Sequence, residues 1–184
     1  MQKINVDDIP STNSPLPYQS YTCVVLNVKQ DPSKNTNAPQ DAFECQIVNP
    51  PTVSYMGEET AAAGRTFSFY VTYSAANLKR AYETLERLGI HPPKEISFPS
   101  EEEVEQGIVT TIDEIQSLTR SVEGQVYDIR LKTEPMYKTD NGKWNGKRLK
   151  DDKGRDIIVG HRIALPSGDD VVSPFRSEET AVGY

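Results

Sequence analysis

Lys143, Lys147, Arg148, Lys150, Lys153 and Arg155 fall within thirteen residues, with Trp144 and Tyr137 interleaved among them. Cations beside aromatic faces are what holds a single-stranded nucleic acid. Ammonium and guanidinium groups track its phosphates, and bases stack on the rings at about 1–3 kcal/mol each. Trp144 is the one tryptophan of the chain and lies in a polar stretch where no periodicity offers it a core. It either packs across a hairpin onto Tyr137 or faces a ligand, and the two are compatible. Tyr70 shares the polar side of an alternating segment with Thr66, Ser68 and Thr72, away from Phe67 and Phe69. It reads as an ordinary exposed tyrosine or as a second stacking platform. Lys138, and Lys29 and Lys34 around an early loop, together with Arg130 and Lys132 on a later strand, could supply further phosphate contacts.

Signs of other chemistry are sparse. There are two histidines and two cysteines in 184 residues. No His/Cys grouping has zinc-ligand spacing, and no phosphate loop or GxGxxG motif occurs. No serine sits in a GxSxG elbow. His161 shares an alternating face with Val159 and Ile163, which suits a core or rim position. Glu101, Glu102, Glu103 and Glu105 point in different directions on a helix and suit its positive N-terminal end better than a metal. No catalytic residue and no cofactor is expected, so binding outranks turnover. A small hydrolase or nuclease is the least favoured reading.

The net charge of −7 hides strong segregation. Residues 91–128 carry a net −7, residues 129–165 a net +5, and residues 166–184 a net −3. Recognition responds to local potential, so an acidic total coexists with one basic surface. Cys23 and Cys45 are too few for a disulfide framework, which points to a reducing compartment. No apolar run approaches the roughly 20 residues of a membrane helix, and the N-terminus lacks the apolar region of a signal peptide.

The elements that must position these groups follow from periodicity. Residues 21–29 alternate as a strand, with Thr22, Val24, Leu26 and Val28 on one side and Tyr21, Asn27 and Lys29 on the other. Phe43, Cys45 and Ile47 give a second strand, and Phe67, Phe69 and Val71 a third. The run 52–64 between them has no clear period and is expected to be a loop. A helix follows, N-capped by Ser74 and ended by Gly89. Ser100 with Glu103 and Thr111 with Glu114 have capping-box spacing ahead of two shorter helices. Tyr127, Ile129 and Leu131 alternate inward on a fourth strand. Asp140-Asn141-Gly142 then predicts a hairpin joining Tyr137-Lys138 to Lys143-Trp144, and residues 157–165 form the last strand. Three strands, a helical stretch and two strands argue against a doubly wound sheet. The order is that of a mainly β, five-stranded OB-fold barrel with its helix between the third and fourth strands, and 133–156 as a long arm between the fourth and fifth.

The phrases YTCVVLNVKQDPSKN, DAFECQIVNP, RTFSFYV with LKRAYETLERLGI, and GQVYDIRLKTEPMYKTDNGKWNGK make the chain resemble phage-encoded single-stranded DNA-binding proteins of OB-fold type. The resemblance spans roughly residues 17–165. It divides the chain into an extended lead-in (1–16), a nucleic-acid-binding domain (17–165, with a helical insertion at 91–120 and a basic hairpin arm at 133–156) and a flexible acidic tail (166–184). It implies sequence-independent protection of single-stranded DNA during phage replication or recombination in the cytoplasm of an infected bacterium. Asp169, Asp170 and Phe175 look somewhat like the partner-docking tip of bacterial homologues, although nine residues follow Phe175. The insertion either covers the barrel or mediates self-association. The competing reading is a protein-interaction or scaffolding module acting through its acidic segments.

Overall fold

The computed structural model describes residues 14–98, 100, 102–103, 106 and 110–165. Glu101, Glu105 and the tail with Asp169, Asp170 and Phe175 lie outside the described residues.

Among the described residues five strands precede two α-helices, a 3-10 turn at Arg120–Val122 follows them, and two strands come last. The strands and α-helices are β1 (Gln19–Gln30), β2 (Gln40–Asn49), β3 (Thr52–Tyr55), β4 (Glu58–Ala61), β5 (Thr66–Thr72), α1 (Leu78–Arg87), α2 (Thr111–Thr119), β6 (Val126–Tyr137) and β7 (Ile158–Ala164). Five of the strands form one antiparallel sheet in the order β5-β2-β1-β6-β7, and β3 pairs only with β4. The main sheet thus takes three strands before the helices and two after them. β6 serves two partners. Its first half pairs with β1 up to Leu131, and its second half pairs with β7 from Lys132 onward. That handover leaves β5 and β7 as the sheet's two edges.

The inner face is apolar by alternation. Phe43, Cys45 and Ile47 of β2, Phe67, Phe69 and Val71 of β5, and Tyr127, Ile129 and Leu131 of β6 all enter one core. Phe43 and Phe69 stand opposite each other, and their rings stack with centroids 4.8 Å apart. β1 departs from the expected phase. Tyr21, Cys23 and Val25 face the core, and Val28 joins them, while Leu26 is 50% exposed. A bulge between Val25 and Asn27 is the reason: Leu26 is the extra residue, and one inserted residue reverses the alternation after it.

The helices close the core. α1 buries Ala81 and Leu85. It ends in a Schellman motif, with the Gly89 N–H donating to Glu86 O at 3.0 Å and the Ile90 N–H to Leu85 O at 2.9 Å. Gly89 has φ +81°, so the expected glycine exit is realised. The N-cap differs from the expectation. Asn77, not Ser74, precedes the helix, and Ser74 instead opens the preceding turn by accepting from the Asn77 N–H. The capping box at Ser100 and Glu103 is present, with the Ser100 N–H donating to Glu103 Oε2 at 2.8 Å. The next box lies one residue earlier than expected, with Thr110 and Asp113 in place of Thr111 and Glu114. Ile112 and Ile115 of α2 are buried in the core, and Leu118 is exposed.

The segment 52–64 is not a loop. β3 and β4 form a hairpin across Met56 and Gly57, with φ +51° and +85°. Those are type I′ turn values, and methionine in the first position conceals the signal that Asn-Gly would give. Leu16 is buried, and its N–H donates to Thr133 Oγ1 at 2.8 Å. Asp41 is fully buried and accepts from the Tyr73 hydroxyl at 2.6 Å and from Gln116 Nε2 at 3.1 Å, tying β2, the end of β5 and α2 together. Among the described residues no helix is long and apolar enough to cross a membrane.

Candidate nucleic-acid interface

Four antiparallel steps separate β5 from β7, so these two edges run in the same direction. A groove of about 920 Å³ lies between them. All of β5 lines one wall: Phe67, Phe69 and Val71 are buried on its inner face, and Thr66, Ser68, Tyr70 and Thr72 alternate with them on its outer face. His161 and Arg162 of β7 line the other wall, and Arg80 and Thr84 of α1 close one side. Three arginines (Arg65, Arg80 and Arg162) and no aspartate or glutamate are among its lining residues. An anion entering it meets a lining that carries positive charge and no carboxylate of its own.

Each of the three arginines has a distinct situation. Arg65 donates from Nη1 to the Ser14 carbonyl at 2.8 Å, an uncharged partner that leaves its charge unneutralised. Burial lowers its pKa, partly offset by nearby Tyr21. Arg80 makes no ion pair among the described residues. Arg162 bonds Glu134 at 2.9 Å and places its guanidinium carbon 5.4 Å from the Trp144 ring centroid. That is cation–π distance, worth about 0.5–1 kcal/mol at an exposed site.

The arm between β6 and β7 is built differently from the expected hairpin. Lys138, Leu149 and Ile157 form a closed ring of backbone bonds, each donating to the next: Lys138 N–H to Ile157 O, Ile157 N–H to Leu149 O, and Leu149 N–H to Lys138 O, at 2.9–3.1 Å. Lys138 therefore faces Leu149 rather than Lys143, and Asn141-Gly142 turns inside a wider loop closed by the Asp140 N–H on Lys147 O. Side chains brace that loop. Thr139 Oγ1 donates to Lys143 O at 2.8 Å, and Asn141 Oδ1 accepts from the Lys143 N–H at 2.9 Å. Gly146 is needed there, because a Cβ at that position would lie 2.1 Å from Asn141 Oδ1. Trp144 tops the loop at 85% exposure. It does not pack on Tyr137. Arg148 takes that place, with its guanidinium carbon 3.8 Å from the Tyr137 centroid.

Of the residues singled out by type and spacing, Tyr70 lines the groove, at 62% exposure, and Trp144 reaches the groove wall through Arg162. Lys29 stands in the same cross-strand row as Tyr70, with Ala42 between them. The remaining cations lie outside the groove lining. Lys29 is paired to Glu44 at 2.5 Å, Lys132 to Glu134 at 2.7 Å and Arg148 to Asp156 at 3.2 Å. The Lys29–Glu44 hydrogen bond raises the lysine pKa and lowers the glutamate's. Lys34, Lys138, Lys143 and Lys147 are exposed and make no ion pair among the described residues. Arg130 is exposed on β6, opposite Ser20 of β1.

Arg65, Arg80, Arg162 and His161 were not picked out as binding residues from sequence. Arg80 carried a readable signal, since it sits one position before buried Ala81 on a helix that follows β5 directly. Cys23 and Cys45 are free and buried. Burial pushes the Cys45 thiol up to about 12 and raises Cys23 as well, so both are held in the protonated thiol form at neutral pH. No group of three or more His, Cys, Asp or Glu residues could hold a metal ion among the described residues. Comparison of the chain with models of protein families, with curated proteins and with solved structures found no match.

Proposed function

We propose that this protein binds single-stranded DNA without sequence preference, by backbone charge and base stacking rather than by turnover. The observation that carries the reading is the groove between β5 and β7. It lies between two parallel-running edges, has three arginines and no carboxylate among its lining residues, and has Tyr70 on one wall and Trp144 at its margin. Arginines for phosphates and ring faces for bases are the two contacts a single strand needs. The sheet order, with its helices between the third and fourth strands, supports an OB-type barrel opened at its closing seam. In that fold the segment after β6 is one of the two ligand-binding loops, which is where the Trp144 arm stands. The resemblance to phage single-strand binders supplies the setting: protection of transient single strands in replication or recombination, inside an infected bacterial cell.

The test is an electrophoretic shift of the full chain with a dT oligonucleotide and with duplex of equal length. The single strand shifts at low salt and is released as salt rises, and the duplex competes poorly. Equal affinity for duplex, or no shift at low salt, removes the reading and leaves an interaction module as its successor.

A further inference from the structure

Arg162 has three neighbours that bear on a ligand. It faces the groove, it overlies Trp144, and it pairs with Glu134, which stands directly opposite it in the β6–β7 ladder. Glu134 is shared. Lys132 Nζ approaches one carboxylate oxygen at 2.7 Å and Arg162 Nη2 the other at 2.9 Å. Hydrogen bonds from Lys132 and then Arg162 hold that carboxyl below its ordinary range, so it is charged at neutral pH. In the free protein one carboxylate therefore occupies a cation of the groove and a cation of the neighbouring strand.

We propose, on the reading of this protein as a single-strand binder, that Glu134 is a positioning residue that masks Arg162 until a backbone phosphate replaces it. The exchange is energetically small. Side-chain exposures of 49% for Arg162 and 31% for Glu134 make this a partly solvated pair, of a kind that contributes little net stability. A phosphate can match guanidinium geometry with two parallel bonds. Arg162 turning from Glu134 toward the groove also changes the charge over Trp144, so strand capture in the groove and presentation of the arm's ring become one event. Arg80 needs no such release, having no ion-pair partner among the described residues, and would take the first phosphate.

The test is a double-mutant cycle read by anisotropy of a labelled dT oligonucleotide across a salt series. It compares the full chain with Glu134→Gln, Arg162→Ala and the double variant. Glu134→Gln preserves side-chain shape at a partly exposed position, and an unchanged melting curve verifies its fold. It binds about two- to fivefold tighter, the scale of an exposed ion pair. Arg162→Ala binds more weakly and flattens the log–log salt slope by about 0.7, one phosphate on a single strand. In the Arg162→Ala background the Glu134→Gln gain disappears. A gain that persists undiminished there acts through Lys132 or total charge and overturns the proposal. Wild-type binding that Glu134→Gln does not tighten overturns it too, leaving the single-strand reading intact. Failure of the wild type to bind dT at low salt overturns both.

Discussion

Tyr70 and Trp144 expose their rings for different reasons. Tyr70 is turned out by the alternation of β5, and Trp144 is lifted by a loop whose braces are backbone and polar side chains. Neither belongs to the core. Tyr70→Ala and Trp144→Ala are each expected to weaken oligonucleotide binding by about 1–3 kcal/mol, one stacking contribution, with unchanged melting temperatures. Loss of stability without loss of binding in either variant would assign that ring to packing. Asp41 is the opposite case, a carboxylate inside. Burial raises its pKa above the ordinary aspartate range, against hydrogen bonds from Tyr73, Thr119 and Gln116 and the charge of Arg120. The folded state thus holds its proton more tightly than the unfolded chain. That contribution to stability is complete below the unfolded pKa and is lost as pH rises through the folded one. Asp41→Asn is expected to flatten this fall in thermal melts across the acid range. A parallel profile for both proteins would show that another group controls it.

At the level of elements, α1 and the arm position the interface. α1 is fixed by its exit, where Gly89 at φ +81° sends Ile90 back onto Leu85. Gly89→Ala forces a Cβ into the left-handed region at about 1–2 kcal/mol, measurable by denaturant melts. An unchanged midpoint would mean the motif is not under that constraint. Much of this was legible in the sequence. Strict alternation gave the inward faces of β2, β5 and β6, and Tyr70's outward placement with them. At the Leu26 bulge and the Thr110 cap one residue of offset carries a large consequence. The bulge at Leu26 reversed the phase of β1. Met56 concealed a turn that only its positive φ reveals, and the second capping box moved from Thr111 to Thr110. In the arm, Asn141-Gly142 marked a turn correctly but not its partner strand, because the ring of Lys138, Leu149 and Ile157 is a three-way contact that no pairwise pattern encodes. The groove was illegible for a simpler reason. It joins β5, α1 and β7, so Arg80 and Arg162 meet only through the sheet order.

For the whole molecule, charge decides what can bind. The total of −7 is compatible with a groove that has three arginines and no carboxylate among its lining residues. Several arm and sheet cations are already paired with Glu44, Glu134 or Asp156. Lys138, Lys143 and Lys147 of the arm make no ion pair among the described residues but lie outside the groove lining, so on the groove account the phosphate count is set by the groove's arginines rather than by these lysines. Arg80→Ala is expected to weaken dT binding and to lower the salt slope by about 0.7, and Lys147→Ala to change it less. The reverse order would move the strand path to the arm. The most direct measurement is a titration of the single tryptophan's fluorescence with a dT oligonucleotide at increasing salt. The groove account predicts quenching of Trp144 at low salt, with an affinity that falls along a log–log slope of about −0.7 for each phosphate held. An unquenched Trp144 at saturating oligonucleotide, or an affinity indifferent to salt, would contradict it.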